Sequence, residues 1–184
     1  WDALWPYLWQ WLPPLSRIRD PLRRFAAHRD GYSLSGLLAR CEGAAEDAPM
    51  ILALRVRAVD GSPAVIGAFL PAAIRSTGGG YLDVMACGLS GSFAADAYVF
   101  AVRGEEGSHE RPRAWRWSGR NELLLHAHGA EAMVVGGDAV ALSLDPSLSR
   151  GHTADCATFG SPPLLPPAEG AEGRPVEYEV LAVE

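Results

Sequence analysis

Apolar residues recur along this 184-residue chain in two rhythms, one helical and one alternating. The first governs the N-terminal quarter. Trp1, Trp5, Leu8 and Leu12 lie three or four apart and predict a helix with one apolar stripe. Pro6 is tolerated in its first turn, and Pro13-Pro14 ends it. Leu34, Leu37 and Leu38 predict a second helix within His28–Gly43, with Ser33 as N-cap and Gly43 as its stop. From Met50 the rhythm changes to that of strands. Residues 50–59 and 64–70 predict a hairpin about the turn Asp60-Gly61-Ser62-Pro63. Pro71–Ile74 reads as one helical turn, and Ser76–Gly80 as a glycine-rich loop. Further strands are expected at 96–102, 115–117, 123–126, 131–135, 139–144 and 176–183. The segments 104–112 and 161–173 carry no core-forming pattern. Helices first and short strands afterwards predict an α+β fold on packed antiparallel sheets.

Composition narrows the function more than the fold. Residues 1–25 hold four Trp (Trp1, Trp5, Trp9, Trp11) and four Arg, which sets them apart as a lead-in to a domain over 26–184. Trp5 and Trp9 are candidate contact residues there, for a partner or a membrane surface, if the helix does not bury them on its own domain. The formal charge of −6 argues against nucleic-acid binding. All sixteen basic residues are Arg, which fits GC-rich codon usage better than a dedicated anion site. Three cysteines (Cys41, Cys87, Cys156) without metal-like spacing suggest a reducing, intracellular compartment, most simply the cytoplasm. No apolar run reaches the roughly 18 residues of a membrane span. Opening on Trp1, the chain reads as a piece of something longer.

Candidate chemistry is sparse. His126-x-His128 offers two ligands on one strand face without a third, so no metal is expected. Cys156 and His152 are the pair from which thiol catalysis would be built, with Asp155 as the orienting group; a buried Cys and a turn His are the plainer reading. Gly136-Gly137-Asp138 is followed by a strand rather than a helix, so it reads as a hairpin turn and not a phosphate cradle. Ser90-Gly91-Ser92 lacks the flanking pattern of a nucleophile elbow. Asp96 puts a lone carboxylate at a strand start.

The order of short blocks is more specific than any of these residues. Asp30-Gly31-Tyr32-Ser33-Leu34, Val65-Ile66-Gly67-Ala68-Phe69, Asp96-Ala97-Tyr98-Val99-Phe100 and Trp115-Arg116-Trp117-Ser118-Gly119-Arg120-Asn121 come in sequence. The segment 133–164 and the closing strand 176–184 follow them. In this order the chain resembles the TLDc family over residues 25–184. The family's longer glycine run is here Gly136-Gly137, and its acidic step is reduced to Asp96 after Phe93-Ala94-Ala95. The resemblance implies two small antiparallel sheets packed as a sandwich with short helices at the ends. It implies no agreed catalytic residues and no cofactor. It also implies binding to a protein assembly such as the vacuolar proton-pumping ATPase, and a link to oxidation resistance. Asp96, Gly136, Gly137, Asp138, Gly151 and His152 are then the expected binding positions. The rival expectations are a structural component docked in a larger complex through its tryptophan helix, and a thiol-dependent redox enzyme using Cys156 and His152.

Overall fold

A computed structural model describes residues 4–18, 20–45, 48–83, 96–103 and 112–184. Four short helices and ten strands follow in order: α1 (Trp5–Trp11), α2 (Pro14–Arg17), α3 (Ala27–Asp30), α4 (Leu34–Cys41), β1 (Met50–Ala58), β2 (Pro63–Leu70), β3 (Leu82–Asp83), β4 (Tyr98–Arg103), β5 (Arg113–Arg116), β6 (Leu123–His128), β7 (Ala132–Val135), β8 (Leu142–Leu144), β9 (Arg150–Thr153) and β10 (Val176–Val183). One sheet runs β5-β4-β2-β1-β10-β9 and the other β3-β6-β7-β8. Every pairing is antiparallel. The fold is therefore α+β, a two-sheet sandwich with a few short helices.

The sandwich interior is built by alternation. In β1, Leu52, Leu54 and Val56 point inward while Arg55 and Arg57 point out; in β10, Val176, Tyr178 and Val180 do so against Glu177 and Glu179. Arg57 and Glu179 face each other across the β1–β10 register and pair at 2.7 Å. α4 closes one end of the sandwich. Its Leu34, Leu37 and Leu38 enter the core, the Leu34 N–H donates to Pro146 O at 2.9 Å, and Ser35 Oγ donates to Gly129 O at 3.2 Å.

A second, smaller apolar cluster lies on the outer face of the six-stranded sheet. Leu4, Leu8 and Leu12, one stripe of α1 and its ends, cover Ala53, Phe69, Tyr98 and Phe100. Phe69 and Tyr98 stack at 5.2 Å, and Trp11 meets Tyr98 and Phe100 at 6.2 and 6.1 Å. Gly67 makes this possible, because a Cβ there would stand 2.5 Å from the Phe100 ring.

The first helix begins with Pro6 in its opening turn and gives way at Leu12 before the two prolines, as predicted. Other elements differ. The helix expected across 28–43 is two helices, because Gly31 takes φ 92° and breaks the path; the Ser33 cap then starts α4 by accepting from Gly36 N–H. Pro71–Ile74 is a bend and irregular backbone rather than a helical turn, with all four residues buried. Residues 150–153, where no strand was expected and His152 was read as a turn residue, form β9. Trp1, Cys87, the serines of 90–92, Phe93-Ala94-Ala95 and all of the segment 104–112 but Pro112 lie outside the described residues.

Candidate functional site

Three sequence blocks far apart in the chain meet at one end of the four-stranded sheet. They are Trp117–Asn121, Gly136–Asp138 and Cys156–Ser161. Gly136 and Gly137 leave β7 and are both buried. Gly136 has φ 86°, and a Cβ on it would sit 2.5 Å from Cys156 Sγ. A Cβ on Gly137 would sit 2.4 Å from Leu123 Cδ1. Both positions need glycine because neighbouring blocks approach the backbone directly. The expected tight turn is a longer connection: Val135 pairs with Leu142, and Ala141 N–H donates to Val135 O at 3.1 Å.

Thr158 ties the blocks together. It is fully buried. Its Oγ1 accepts from Gly137 N–H at 2.8 Å and donates to Asn121 Oδ1 at 2.8 Å. Asn121 Oδ1 also accepts from Leu123 N–H at 3.1 Å, and its amide nitrogen donates to Asp138 at 3.3 Å. Trp117 Nε1 donates to Asn121 O at 2.7 Å, and Ser118 Oγ to Ala157 O at 2.6 Å. The result is a buried polar chain ending on an exposed carboxylate. Asp138 itself takes φ 69°, a conformation that Asp tolerates better than most residues. Its rim partners are Arg120, Asp155, Ala157, Gly160 and Pro162, around an open depression with Ser161 at its wall. Ser161 is 3% exposed, and among the described residues its hydroxyl has no hydrogen-bond partner.

Cys156 and His152 are wired separately. Cys156 is 2% exposed, with Sγ 3.9 Å from Gly137 O. His152 Nδ1 lies 2.9 Å from Ser143 Oγ, the same hydroxyl that accepts from His152 N–H at 2.9 Å. Gly151 sits where the two sheets join, and a Cβ there would stand 2.0 Å from Ser143 O and 2.6 Å from the Tyr178 ring. Burial raises the Tyr178 phenol pKa, and that proton is held on Ser143 O at 2.5 Å. Of the two strand histidines, His126 has Nδ1 2.7 Å from Gly80 O, and His128 lies 3.7 Å from Glu131. Among the described residues no group of three His, Cys, Asp or Glu could hold a metal ion.

The expected binding residues thus divide among four places. Gly136, Gly137 and Asp138 share the Thr158 cluster. Gly151 and His152 lie on β9. Asp96 lies in the turn two residues before β4, next to the Trp117 block, since Trp117 N–H donates to Ala97 O at 2.8 Å. Trp5 and Trp9 are on the outer face of the other sheet, Trp5 half-buried and Trp9 42% exposed. Sequence reasoning did not single out Asn121 and Thr158 as site residues. The available signal was their position within two residues of a single glycine, Gly119 or Gly160, where a polar side chain can satisfy a closely approached backbone. A family model for the TLDc domain matches residues 2–184.

Proposed function

Since the chain belongs to the TLDc domain family, we propose that it is a non-enzymatic protein-interaction module. In this reading it works in the cytoplasm on a large assembly such as the vacuolar proton-pumping ATPase, through which it is linked to oxidation resistance. The observation that carries the reading is the convergence of three blocks on Thr158. That polar chain ends on Asp138, which shares an exposed charged rim with Arg120 and Asp155. Rigid charged rims suit recognition, because a partner finds the charges already placed. The separate engagement of Cys156 and His152 favours the same reading over thiol catalysis, which needs nucleophile and base within reach of each other.

The test is capture from lysate of the source organism with tagged wild type and with Asp138→Arg/Asp155→Arg. Wild type is expected to enrich subunits of the assembly. The double reversal is expected to lower recovery tenfold or more with a native far-ultraviolet dichroism spectrum, although its melting temperature falls because Arg at φ 69° no longer accepts from Asn121. Equal recovery by both proteins, or none by either, would remove the rim from the argument.

A further inference from the structure

The exposed apolar side chains are concentrated in one stretch. Five of the eight large ones that stand exposed among the described residues fall between residues 7 and 22: Tyr7, Trp9, Leu15, Ile18 and Leu22. The aliphatic three protrude most, Leu15 at 66%, Leu22 at 73% and Ile18 at 80% exposure. Leu15 and Ile18 are three apart on the turn of α2, so they share a side. Tyr7 and Trp9 add exposed aromatic rings on α1, earlier in the same segment.

Charge is segregated along the same line. Four Arg against two Asp leave residues 1–25 at +2; as the whole chain carries −6, the remainder carries −8. Apolar tips and arginines on one segment, backed by an acidic body, fit an anionic, planar, apolar-cored partner. We infer that the α1–α2 segment and its exit to Leu22 form a peripheral docking surface for an anionic phospholipid bilayer. Leu15, Ile18 and Leu22 enter the headgroup boundary, Trp9 lies at it, and Arg24 faces the phosphates, while Arg17, held on Leu12 O at 2.8 Å and Gln10 O at 2.9 Å, and Arg23, held on Glu184 at 3.3 Å, add positive charge behind it. The acidic body is repelled by the same surface, which leaves the strap as the face that approaches. Among the described residues no helix is long and apolar enough to cross a membrane, so the contact is interfacial.

A protein helix is the competing occupant. An apolar groove of about 700 Å³ runs beside α1, walled by Trp5, Leu8, Leu22, Phe25 and Ile51. Leu15 and Ile18 lie outside its walls, so a helix seated in the groove leaves two of the most protruding apolar side chains in water. The groove also carries Asp20 and Glu184 beside Arg23 and Arg24, with Glu184 3.3 Å from Arg23, so it has no net charge to select an acidic peptide. A flat surface uses both the tips and the arginines.

The experiment is co-sedimentation of the full chain with vesicles of phosphatidylcholine alone or with about a third phosphatidylserine, repeated at high salt. Binding is expected only to the anionic vesicles and is expected to fall with salt. Ile18→Asp is expected to lower it at least tenfold, and Arg24→Gln by about fivefold, both at unchanged melting temperature because both side chains are exposed. Anionic vesicles are expected to shift the tryptophan emission to the blue, and Trp9→Phe to remove most of that shift. Asp138→Arg/Asp155→Arg, on the other sheet, is expected to bind vesicles as wild type does, so this inference and the rim reading fail independently. Sedimentation with neither vesicle would overturn the inference, as would binding indifferent to Ile18→Asp. Capture of a protein by the strap with no vesicle binding would assign the surface to that protein instead.

Discussion

Thr158 is a hydroxyl with two obligations. It accepts from Gly137 N–H, both groups buried, and donates to the half-buried Asn121. Thr158→Val keeps the shape and removes both bonds, leaving a buried N–H unpaired, and is expected to cost about 1–3 kcal/mol in a urea titration. Thr158→Ser keeps the hydroxyl and is expected to recover most of that loss. Gly151→Ala tests sterics in the same way. Its Cβ would overlap Ser143 O and the Tyr178 ring, so a loss of about 2–3 kcal/mol is expected. The sequence marked Gly136, Gly137 and Gly151 as special without showing why. Their common reason is close approach by residues from other blocks: Cys156, Leu123 and Tyr178. Such neighbours are set by tertiary register, which a local pattern does not encode. The same limit hid Asn121 and Thr158, whose partners are up to 37 positions apart.

At the scale of elements, short helices depend on their ends. α3 has four residues, and Asp30 fastens it by accepting from Ala26 N–H at 2.9 Å and pairing with Arg29 and Arg40 at 2.7 and 3.3 Å. The hydrogen bond from Arg29, then that from Ala26, holds the Asp30 carboxyl down from its ordinary 3.8 to about 2. A depressed carboxyl stabilises the fold wherever it is ionised in the native state, and the contribution is lost as pH falls through the native value. Thermal melts from pH 6 downward are therefore expected to lose the Asp30 contribution between about 4 and 2. Asp30→Asn is expected to lower stability near neutrality and to show a shallower acid limb; an acid limb identical to wild type would refute this. β1 and β10, which alternate, and β2 and β4, which are continuous apolar runs, were legible from their residues alone. β9 was not, since Arg150-Gly151-His152-Thr153 offers no apolar alternation and becomes a strand only by pairing with β10. The break between α3 and α4 was written in Gly31 but outweighed by the periodicity around it.

The whole molecule has two apolar clusters on opposite faces of one sheet. The larger fills the sandwich, and the smaller holds α1 down over Phe69, Tyr98 and Phe100. Tyr98 is fully buried there, and among the described residues its hydroxyl has no hydrogen-bond partner. Leu8→Asp places a carboxylate in the smaller cluster and is expected to release α1. The signature is increased binding of a hydrophobic dye with near-native far-ultraviolet dichroism, because the sandwich does not depend on that helix. Full loss of secondary structure would show instead that the two clusters stand or fall together. The sheet order carries a further consequence for synthesis. β1 lies between β2, its immediate successor, and β10, with Arg57 and Glu179 paired across 122 positions. At about 5–20 residues per second a ribosome needs on the order of ten seconds to make that intervening length. Through that interval β1 and β2 can form their hairpin, but the outer edge of β1 has no native mate. A nascent chain of this protein therefore carries an adhesive strand edge until the residues of β10 emerge to cover it.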